Sequence, residues 1–305
     1  MEINGYKIIG SLQTDNSGTA KWGFAQKSGQ TVFIKEFLSP VYPYDESKFS
    51  PQAVRANKNI CAEFEKNKNK LYKALSECKN GGIVYATDFF RHKSKYYMVT
   101  PKVDMSGITL ENILRLDLKA RIMICRVIAY NMISIHQNGI IHADIKPNNI
   151  LIKETITGVY TAKIIDFDSS FFEDDLPCPD DLQCDTVYMA PESFMYMCEE
   201  TDKLSTKIDI FALGILFCQY LTGDMPHFNK EEYTYLYAAI LDGSEIAING
   251  DIPEYLKDLL MKMLSENPDD RPDINHVFDN LIFKTSDNKM TVTKKKGFKV
   301  ASSTL

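Results

Sequence analysis

Short segments in which hydrophobic and polar residues alternate fill the first forty positions of the chain. The segments Tyr6–Leu12, Lys21–Lys27 and Thr31–Phe37 are rich in β-branched and aromatic residues and are separated by polar turns. This pattern predicts three strands. The same composition at Ile83–Phe90 and Lys95–Val99 predicts two more.

A helical repeat separates the third predicted strand from the fourth. Between Ala53 and Leu75, the side chains of Ile60, Phe64, Leu71 and Leu75 recur at a spacing that places them on one helix face. The sequence therefore predicts one long helix within the strand-rich part, with this apolar stripe turned inward.

Helical periodicity dominates the chain from about Leu110 onward. Helices are predicted at Leu118–His136, Lys207–Leu221 and Glu254–Leu264. The last residues, Thr285–Leu305, become polar and basic, which predicts a flexible tail. The coarse prediction is an α+β protein with a small strand-rich lobe followed by a larger, mainly helical lobe.

Composition narrows the class of protein. The chain has 305 residues, 44% of them hydrophobic and 25% charged, which is typical of a globular protein with a sizeable core. A net charge of -6 argues against general nucleic-acid binding and offers no polybasic membrane anchor. The N-terminus lacks the apolar region of a secretory signal. Seven cysteines without a CxxC pair indicate reduced thiols, so we expect a cytoplasmic protein.

The densest chemistry lies in the segment His142–Leu151. Asp144 is followed by a lysine two positions later and an asparagine five positions later. This set suits phosphoryl transfer: the aspartate orients an attacking hydroxyl and accepts its proton, Lys146 neutralises the moving phosphoryl group, and Asn149 binds a metal through its carbonyl oxygen. Positioned charges, rather than covalent chemistry, carry such catalysis.

At this point the chain resembles the eukaryotic-like serine/threonine protein kinase family. His142-Ala143-Asp144 stands where the family has H-R-D, and Asn149 closes the motif. Twenty-two residues after Asp144, a hydrophobic strand ends in Asp166, which matches the first residue of D-F-G. The resemblance implies that Asp166 binds magnesium bridging the β- and γ-phosphates of ATP.

A third match concerns the lysine that binds the nucleotide phosphates. Lys35, in the predicted strand Thr31–Phe37, resembles the lysine of V-A-I-K and is expected to meet the α- and β-phosphates. The family pairs this lysine with a glutamate on the following helix. Glu63 and Glu65 both lie on that helix and flank its apolar stripe, and Glu65 is the preferred partner.

Two further motifs extend the resemblance through the helical lobe, so that it covers about residues 6–282. Glu192 stands in an A-P-E sequence and is expected to form a buried ion pair with Arg271. Asp209 matches the helix aspartate that, in the family, supports the backbone of the catalytic loop.

The glycine-rich loop departs from the family pattern. Alignment back from Lys35 places Gly18 at the third glycine position, with Gln13 and Asp15 at the first two. Glycine lets the backbone approach phosphates, and a carboxylate opposes their charge. We therefore expect a displaced loop and weakened ATP affinity.

The resemblance also divides the chain into lobes. Thr100 corresponds to the gatekeeper at the back of the adenine site, and the backbone groups of Lys102 and Val103 are expected to bind adenine. The predicted boundaries are 1–99 for the N-lobe, 100–104 for the hinge, 105–284 for the C-lobe and 285–305 for the tail.

Three departures bear on regulation. Asp168 replaces the glycine of D-F-G, as a turn cap or an additional metal contact. Ala143 replaces the arginine that often meets an activation-loop phosphate in the family, and no serine, threonine or tyrosine lies between Ser170 and Thr186. We therefore expect that activity does not require phosphorylation of this loop.

The function predicted from these motifs is ATP- and Mg²⁺-dependent phosphorylation of protein serine or threonine hydroxyls. Lys146 two places after Asp144, with Thr186 before Tyr188, resembles the serine/threonine branch of the family. Two alternatives remain open. One is a small-molecule kinase of the aminoglycoside or choline type, although these lack the A-P-E segment. The other is a pseudokinase that binds nucleotide and partners without catalysis. The sequence does not indicate an oligomeric state.

Overall fold

A computed structural model of the chain describes residues 1–14, 20–78, 81–103 and 107–284. Its N-terminal part is an antiparallel six-stranded sheet with the order β1-β2-β3-β4-β6-β5. The strands are β1 (Glu2–Ile3), β2 (Tyr6–Gln13), β3 (Ala20–Lys27), β4 (Gln30–Phe37), β5 (Asp88–His92) and β6 (Lys95–Pro101). The three strands predicted before residue 38 and the strand at Lys95–Val99 are confirmed, with small shifts at their ends.

The predicted strand Ile83–Phe90 is wrong in its first half. Strand β5 begins only at Asp88, whereas Ile83 forms an isolated bridge with Ile164. The backbone N–H of Val84 donates to the carbonyl of Ile164 at 2.9 Å, and that of Ile164 donates to Gly82 at 2.8 Å. The apolar segment therefore connects the sheet to the helical part of the chain instead of extending the sheet.

One long helix, α1 (Pro51–Glu77), packs beside the sheet, as predicted. It begins at Ser50, whose side chain accepts a hydrogen bond from the backbone of Ala53 at 3.2 Å, and the next residue is a proline, which is favourable at the first helical position. Its inward face differs from the prediction at one residue. Ile60 is 55% exposed, and the neighbouring Cys61 is buried in its place.

The rest of the described chain is mainly helical, with two short antiparallel strand pairs. The helices are α2 (Leu110–Leu114), α3 (Leu118–Gln137), α4 (Pro191–Met197), α5 (Lys207–Thr222), α6 (Leu236–Leu241), α7 (Glu254–Met263) and α8 (Ile274–Asn280). The strands are β7 (Ile140–Ile141), β8 (Ile150–Glu154), β9 (Tyr160–Ile164) and β10 (Phe171–Phe172). The three helices predicted from periodicity, now α3, α5 and α7, are confirmed.

Helix α5 forms the centre of the helical part. Nearly all of its residues are buried, because α2, α3 and α7 pack against it. The helix ends at Gly223, whose φ of 95° lies in the left-handed region that a residue without a Cβ adopts at low cost. A fully buried helix needs no polar face, and the near-continuous apolar sequence of α5 agrees with this position.

These two parts form the bilobal α+β architecture that the sequence predicts, with the strand-rich lobe first. Among the described residues, no helix combines the length and the apolar character needed to cross a bilayer. The predicted tail, 285–305, lies outside the described residues, as does Asp104 in the predicted hinge. The exact lobe boundaries stay a prediction.

Candidate active site

A cavity of about 680 Å³ lies between the sheet and the helical part of the chain. Its polar end is lined by Lys35, Asp144, Asn149 and Asp166, which come from three separate segments of the sequence. Its other end is mainly apolar. The apolar lining includes Trp22, Phe24, Phe33, Met98, Val103 and Leu151. The structure thus brings to one end of a single cavity the residues predicted to bind phosphate, to bind metal and to orient a substrate hydroxyl.

The catalytic loop is held by hydrogen bonds within itself. Residues Pro147–Asn149 form a 3-10 turn, and the buried side-chain amide of Asn149 donates to the backbone carbonyl of Asp144 at 2.7 Å and to its carboxylate at 2.8 Å. Because both bonds use the amide nitrogen, the carbonyl oxygen of Asn149 is left as a ligand atom.

Asp209, at the start of α5, fixes the backbone just before Asp144. Its two carboxylate oxygens accept the backbone N–H groups of His142 at 2.8 Å and Ala143 at 2.9 Å, and His136 contacts it at 3.0 Å. Ala143 has a φ of 65°, a conformation that a residue with a Cβ adopts only when its surroundings impose it. The buried carboxylate is the group that imposes it here, which is the supporting role that the resemblance implied for Asp209.

The ammonium of Lys146 lies between two carboxylates. It is 3.0 Å from Asp144 and 3.4 Å from Asp185. Burial opposes its charge, but the hydrogen bond to Asp144 and the field of the two carboxylates outweigh this and raise the pKa of Lys146. The lysine is therefore cationic at neutral pH and lies beside the carboxylate predicted to orient a hydroxyl.

Lys35, on β4, is buried at the phosphate end of the cavity and makes two ion pairs. Its ammonium is 2.7 Å from Asp166 and 2.7 Å from Asp168. Burial lowers the pKa of Lys35, but the attraction of Asp168 and then of Asp166 is larger in sum and raises it. Asp166 itself has a φ of 64°, a further residue held in the left-handed region at the site.

The prediction that Glu65 pairs with Lys35 is wrong in this structure. The hydroxyl of Tyr96 donates to Glu65 at 2.6 Å, and the guanidinium of Arg91 lies 3.7 Å from it. The other candidate, Glu63, is exposed. The physical reason is the rotation of α1 about its axis, which presents position 65 to β5 and β6 and position 68 to the backbone of Asp168.

Lys68 is the site residue that the sequence reasoning missed. Its ammonium donates to the backbone carbonyl of Asp168 at 2.7 Å. Burial lowers the pKa of Lys68, an effect that Asp168 opposes and the neighbouring Lys35 reinforces. A signal was present in the sequence, because Lys68 lies four residues from both Phe64 and Tyr72 and so falls on the inward stripe of α1.

The predicted adenine-binding residues occupy the end of β6 and the residues after it. Thr100 is buried, pairs with Phe33 across the sheet and lines the cavity together with Val103. The side chain of Lys102 is exposed, and its ammonium lies 4.9 Å from the ring centre of Phe24. Gly18, the predicted third glycine of the phosphate loop, lies outside the described residues together with Asp15.

The segment after Asp168 contacts its neighbours through two acidic side chains and a buried hydroxyl. Asp175 forms an ion pair with Lys70 of α1 at 3.2 Å, and the carboxylate of Glu173 accepts the backbone N–H of Thr206 at 3.3 Å. The hydroxyl of Ser170 is buried and donates to the carbonyl of His142 at 3.1 Å. Carboxylates of the segment thus contact both α1 and the residue that precedes α5.

The bilobal fold, the loop that carries Asp144 and Asn149, and the strand lysine on the opposite wall define a phosphotransferase class in which ATP lies between two lobes. Comparison with known proteins gives the family. The family model described as "Protein kinase domain" matches residues 48–283. The chain belongs to the protein kinase family, and the predicted resemblance is confirmed.

Individual relatives agree with this family. The chain is 31% identical over 161 residues to the serine/threonine-protein kinase PKH1 of Saccharomyces cerevisiae, an alignment that covers 49% of this chain and 20% of the relative. It is 30% identical over 200 residues to a probable serine/threonine-protein kinase of Encephalitozoon cuniculi, covering 65% and 33%. It is 27% identical over 224 residues to one of Clostridium perfringens, covering 70% and 30%. The aligned part of the chain thus spans a fifth to a third of these relatives.

Proposed function

We propose that this chain transfers the γ-phosphate of ATP, with Mg²⁺, to serine or threonine hydroxyls of protein substrates. The observation that carries the proposal is the convergence of Lys35, Asp144, Asn149 and Asp166 on one cavity. Phosphoryl transfer relies on positioning and on charge stabilisation, and these are the groups that supply both. Because the chain aligns with only part of each relative, that the whole protein acts on protein substrates is likewise a proposal.

The nucleotide fits the cavity in one direction. The apolar end, with Thr100 and Val103 at its edge and Leu151 on its wall, suits the adenine ring. The phosphates then point to the polar end, where the cationic Lys35 is available to their oxygens.

The donor set at the polar end suits magnesium. Asp166 supplies a carboxylate, and Asn149 supplies a carbonyl oxygen, because its amide nitrogen is held by Asp144. Oxygen atoms of this kind are the ligands that Mg²⁺ prefers, and it commonly takes only one or two of them from the protein and the remainder from phosphate and water. When bound, the ion neutralises charge on the β- and γ-phosphates.

Asp144 is the proposed base. Its carboxylate is oriented by the amide of Asn149 and faces the ammonium of Lys146, so it is held in one geometry before any substrate arrives. A serine or threonine hydroxyl that donates to this carboxylate has its oxygen lone pair directed toward the phosphate. Lys146 then lies beside the transferred group and stabilises its negative charge.

Protein substrates are favoured over small molecules. The relatives are named as serine/threonine-protein kinases, and the chain carries the A-P-E glutamate and its distant arginine partner in contact with each other. The small-molecule kinases considered above lack this segment. The pseudokinase alternative is disfavoured because the lysine, both aspartates and the asparagine are all present at the cavity.

We further propose that turnover does not depend on phosphorylation of the loop between Ser170 and Thr186. Acidic side chains already supply negative charge along this segment, where Asp175 meets Lys70 and Glu173 meets the backbone of Thr206, so a phosphate is not needed to supply it. Cytoplasmic location stays a prediction from the free cysteines.

The experiment compares purified wild type with Asp144→Ala. Each is incubated with γ-labelled ATP and magnesium, with generic basic and acidic proteins and with small-molecule acceptors. We expect label on protein serine or threonine with wild type and none with the variant. Label on small molecules alone would support the first alternative. Nucleotide binding without transfer to any acceptor would support the pseudokinase.

A further inference from the structure

The counterions of Lys35 both come from the segment that follows β9, at positions 166 and 168. We infer that Asp168 is the residue that positions Lys35, in the role that the family resemblance assigns to a glutamate of α1. The inference rests on the proposed ATP-dependent function and adds to it a positioning residue at a site where the family has glycine.

The two aspartates differ in how available they are as ion-pair partners of Lys35. Asp166 is the carboxylate proposed for the metal, and its side chain is 36% exposed, whereas that of Asp168 is 15% exposed. A less solvated pair at the same 2.7 Å interacts more strongly, because less water screens it. Asp168 is therefore the partner that remains with Lys35 when Asp166 has another ligand to bind.

The acidic residues of α1 do not take this role. Glu65 is engaged with Tyr96 and Arg91, Glu63 is exposed, and Glu77 lies at the far end of the helix and is exposed too. The position of α1 that does face Lys35 carries a lysine. Lys68 reaches the backbone carbonyl of Asp168, so the helix contributes a cation where a carboxylate was expected.

The two unusual residues, Asp168 and Lys68, compensate one another. The cluster brings two lysines, Lys35 and Lys68, together with two aspartates, Asp166 and Asp168, so the formal charges of its side chains balance. With glycine at 168, two neighbouring lysines would face Asp166 alone. With glutamate at position 68, the new carboxylate and that of Asp168 would both lie beside Asp166. Each residue therefore compensates the charge of the other. The carboxylate that the family has on the helix is supplied here by the loop, and the helix carries a lysine instead.

One further detail agrees with a carboxylate held in place by its charge partners. Within the described residues, one carboxylate oxygen of Asp168 is buried without a hydrogen-bond partner, while the other binds Lys35. Such an atom is costly to bury. The cost is offset at this site by the two lysines beside it, Lys35 on the other carboxylate oxygen and Lys68 on the backbone carbonyl.

The test measures kcat, KM for ATP and the dissociation constant of a non-transferable ATP analogue for four variants. Asp168→Asn keeps the shape of the side chain and removes its charge. We expect kcat/KM to fall about 10- to 100-fold and the analogue to bind about 3- to 10-fold more weakly, because a charged hydrogen bond to Lys35 is lost. Asp168→Gly and Lys68→Glu are each expected to lose activity as well. The double variant Asp168→Gly/Lys68→Glu returns the carboxylate to the helix, and we expect it to recover about tenfold or more over Asp168→Gly.

The matched control is Glu77→Gln, which makes the same charge change on an exposed residue of α1 and is expected to change no constant by more than about twofold. Circular dichroism and the unfolding temperature show whether each variant folds. If Asp168→Gly does not fold, the double variant is compared with Lys68→Glu instead, over which the same recovery is expected.

Two results would overturn the inference. One is that Asp168→Asn matches wild type in both kcat/KM and analogue binding. The other is that the double variant loses as much as the product of the single losses, because independent residues do not rescue each other. Failure of the proposed function is a separate outcome. If wild type transfers no phosphate, analogue binding by Asp168→Asn and by the double variant still decides whether Asp168 positions Lys35.

Discussion

Arg271 and Glu192 form a bidentate ion pair in the core of the helical lobe. The two guanidinium nitrogens lie 2.6 and 2.8 Å from the two carboxylate oxygens, and Arg271 is 2% exposed. The same guanidinium also donates to three backbone carbonyls. These belong to Ser265, Lys207 and Glu266. The pair predicted from the A-P-E sequence and a distant arginine is thus confirmed, and it ties the end of the activation segment to the residues after α7.

Removal of one member of this pair should destabilise the protein strongly. Arg271→Met is expected to lower the free energy of unfolding by about 3–5 kcal/mol, since it leaves a buried carboxylate and several carbonyls without a donor. Urea denaturation followed by circular dichroism measures the change.

The matched control for that measurement is Arg115→Met. Arg115 also pairs with a glutamate, Glu111, but its side chain is 70% exposed, and exposed pairs contribute little. Its denaturation midpoint should stay within the scatter of repeated wild-type curves. Equal midpoints for the Arg271 and Arg115 variants would contradict the importance assigned to the buried pair.

Asp209→Asn should impair turnover more than nucleotide binding. The carboxylate accepts two backbone N–H groups, from His142 and Ala143, whereas an amide offers only one acceptor atom and would turn a donor toward the second. The unpaired buried N–H should allow the loop before Asp144 to shift, and we expect kcat to fall about 10-fold or more, with KM for ATP within about threefold.

Asp224→Asn provides the comparison for Asp209→Asn, since Asp224 is an exposed aspartate just after the same helix. It should leave both kinetic constants close to those of wild type. A fall in kcat of similar size for both variants would mean that the effect is a general loss of charge near α5 and not a specific loss of loop support.

Periodicity and motif spacing predicted much of this architecture. Helices α3, α5 and α7 were found because their apolar repeats are long, and Lys35, Asp144 and Asp166 because each ends or interrupts a hydrophobic segment at a fixed distance from a neighbouring motif. The segment before β5 was predicted wrongly, since an apolar residue such as Ile83 has the same appearance whether it extends a sheet or bridges to β9.

The partner of Lys35 could not be predicted for a different reason. A carboxylate on α1 was expected, and two were present in the right segment, but a rotation of the helix by a fraction of a turn decides which residue faces the cavity. That rotation is set by the packing of Phe64, Leu71 and Leu75 against the sheet. Lys68 on the same stripe was the available signal, and its meaning depended on Asp168, which the fold brings there from a hundred residues away.

Complete dephosphorylation should leave turnover nearly unchanged. Ser170 is buried with its hydroxyl bonded to the carbonyl of His142, so a protein kinase has no access to it in the folded state, and acidic residues already supply negative charge in the following segment. After treatment with a broad phosphatase, we expect kcat within about twofold of the untreated enzyme.

Intact-mass spectrometry confirms that phosphate is gone, and Ser169→Ala provides a second check because Ser169 lines the cavity. The prediction is contradicted if turnover falls after dephosphorylation, recovers after incubation with ATP, and shows no such fall in Ser169→Ala or Ser170→Ala. That result would show that phosphorylation of this loop does control the enzyme.

The thiol of Cys184, beside the catalytic loop, should react slowly with alkylating reagents. Burial, together with the nearby carboxylates of Asp144 and Asp185, raises its pKa to about 12. Only about one such thiol in 10,000 is then ionised at pH 8, and the thiolate is the reactive form. Cys178 and Cys198 are exposed and should be modified first by iodoacetamide, with Cys184 slower by about tenfold or more after the higher intrinsic reactivity of a basic thiolate is counted.

The pH dependence gives this prediction its sharpest form. A raised pKa means that the thiolate fraction of Cys184 still increases tenfold per pH unit between pH 8 and 10, whereas an ordinary exposed thiol approaches full ionisation above about pH 9. Peptide mapping should therefore show a steep, continuing rise for the Cys184 peptide between pH 8 and 10, with Cys184→Ser to verify the assignment. Rapid labelling of Cys184 at pH 8, equal to that of Cys178, would contradict the burial and the negative field that the structure places around it.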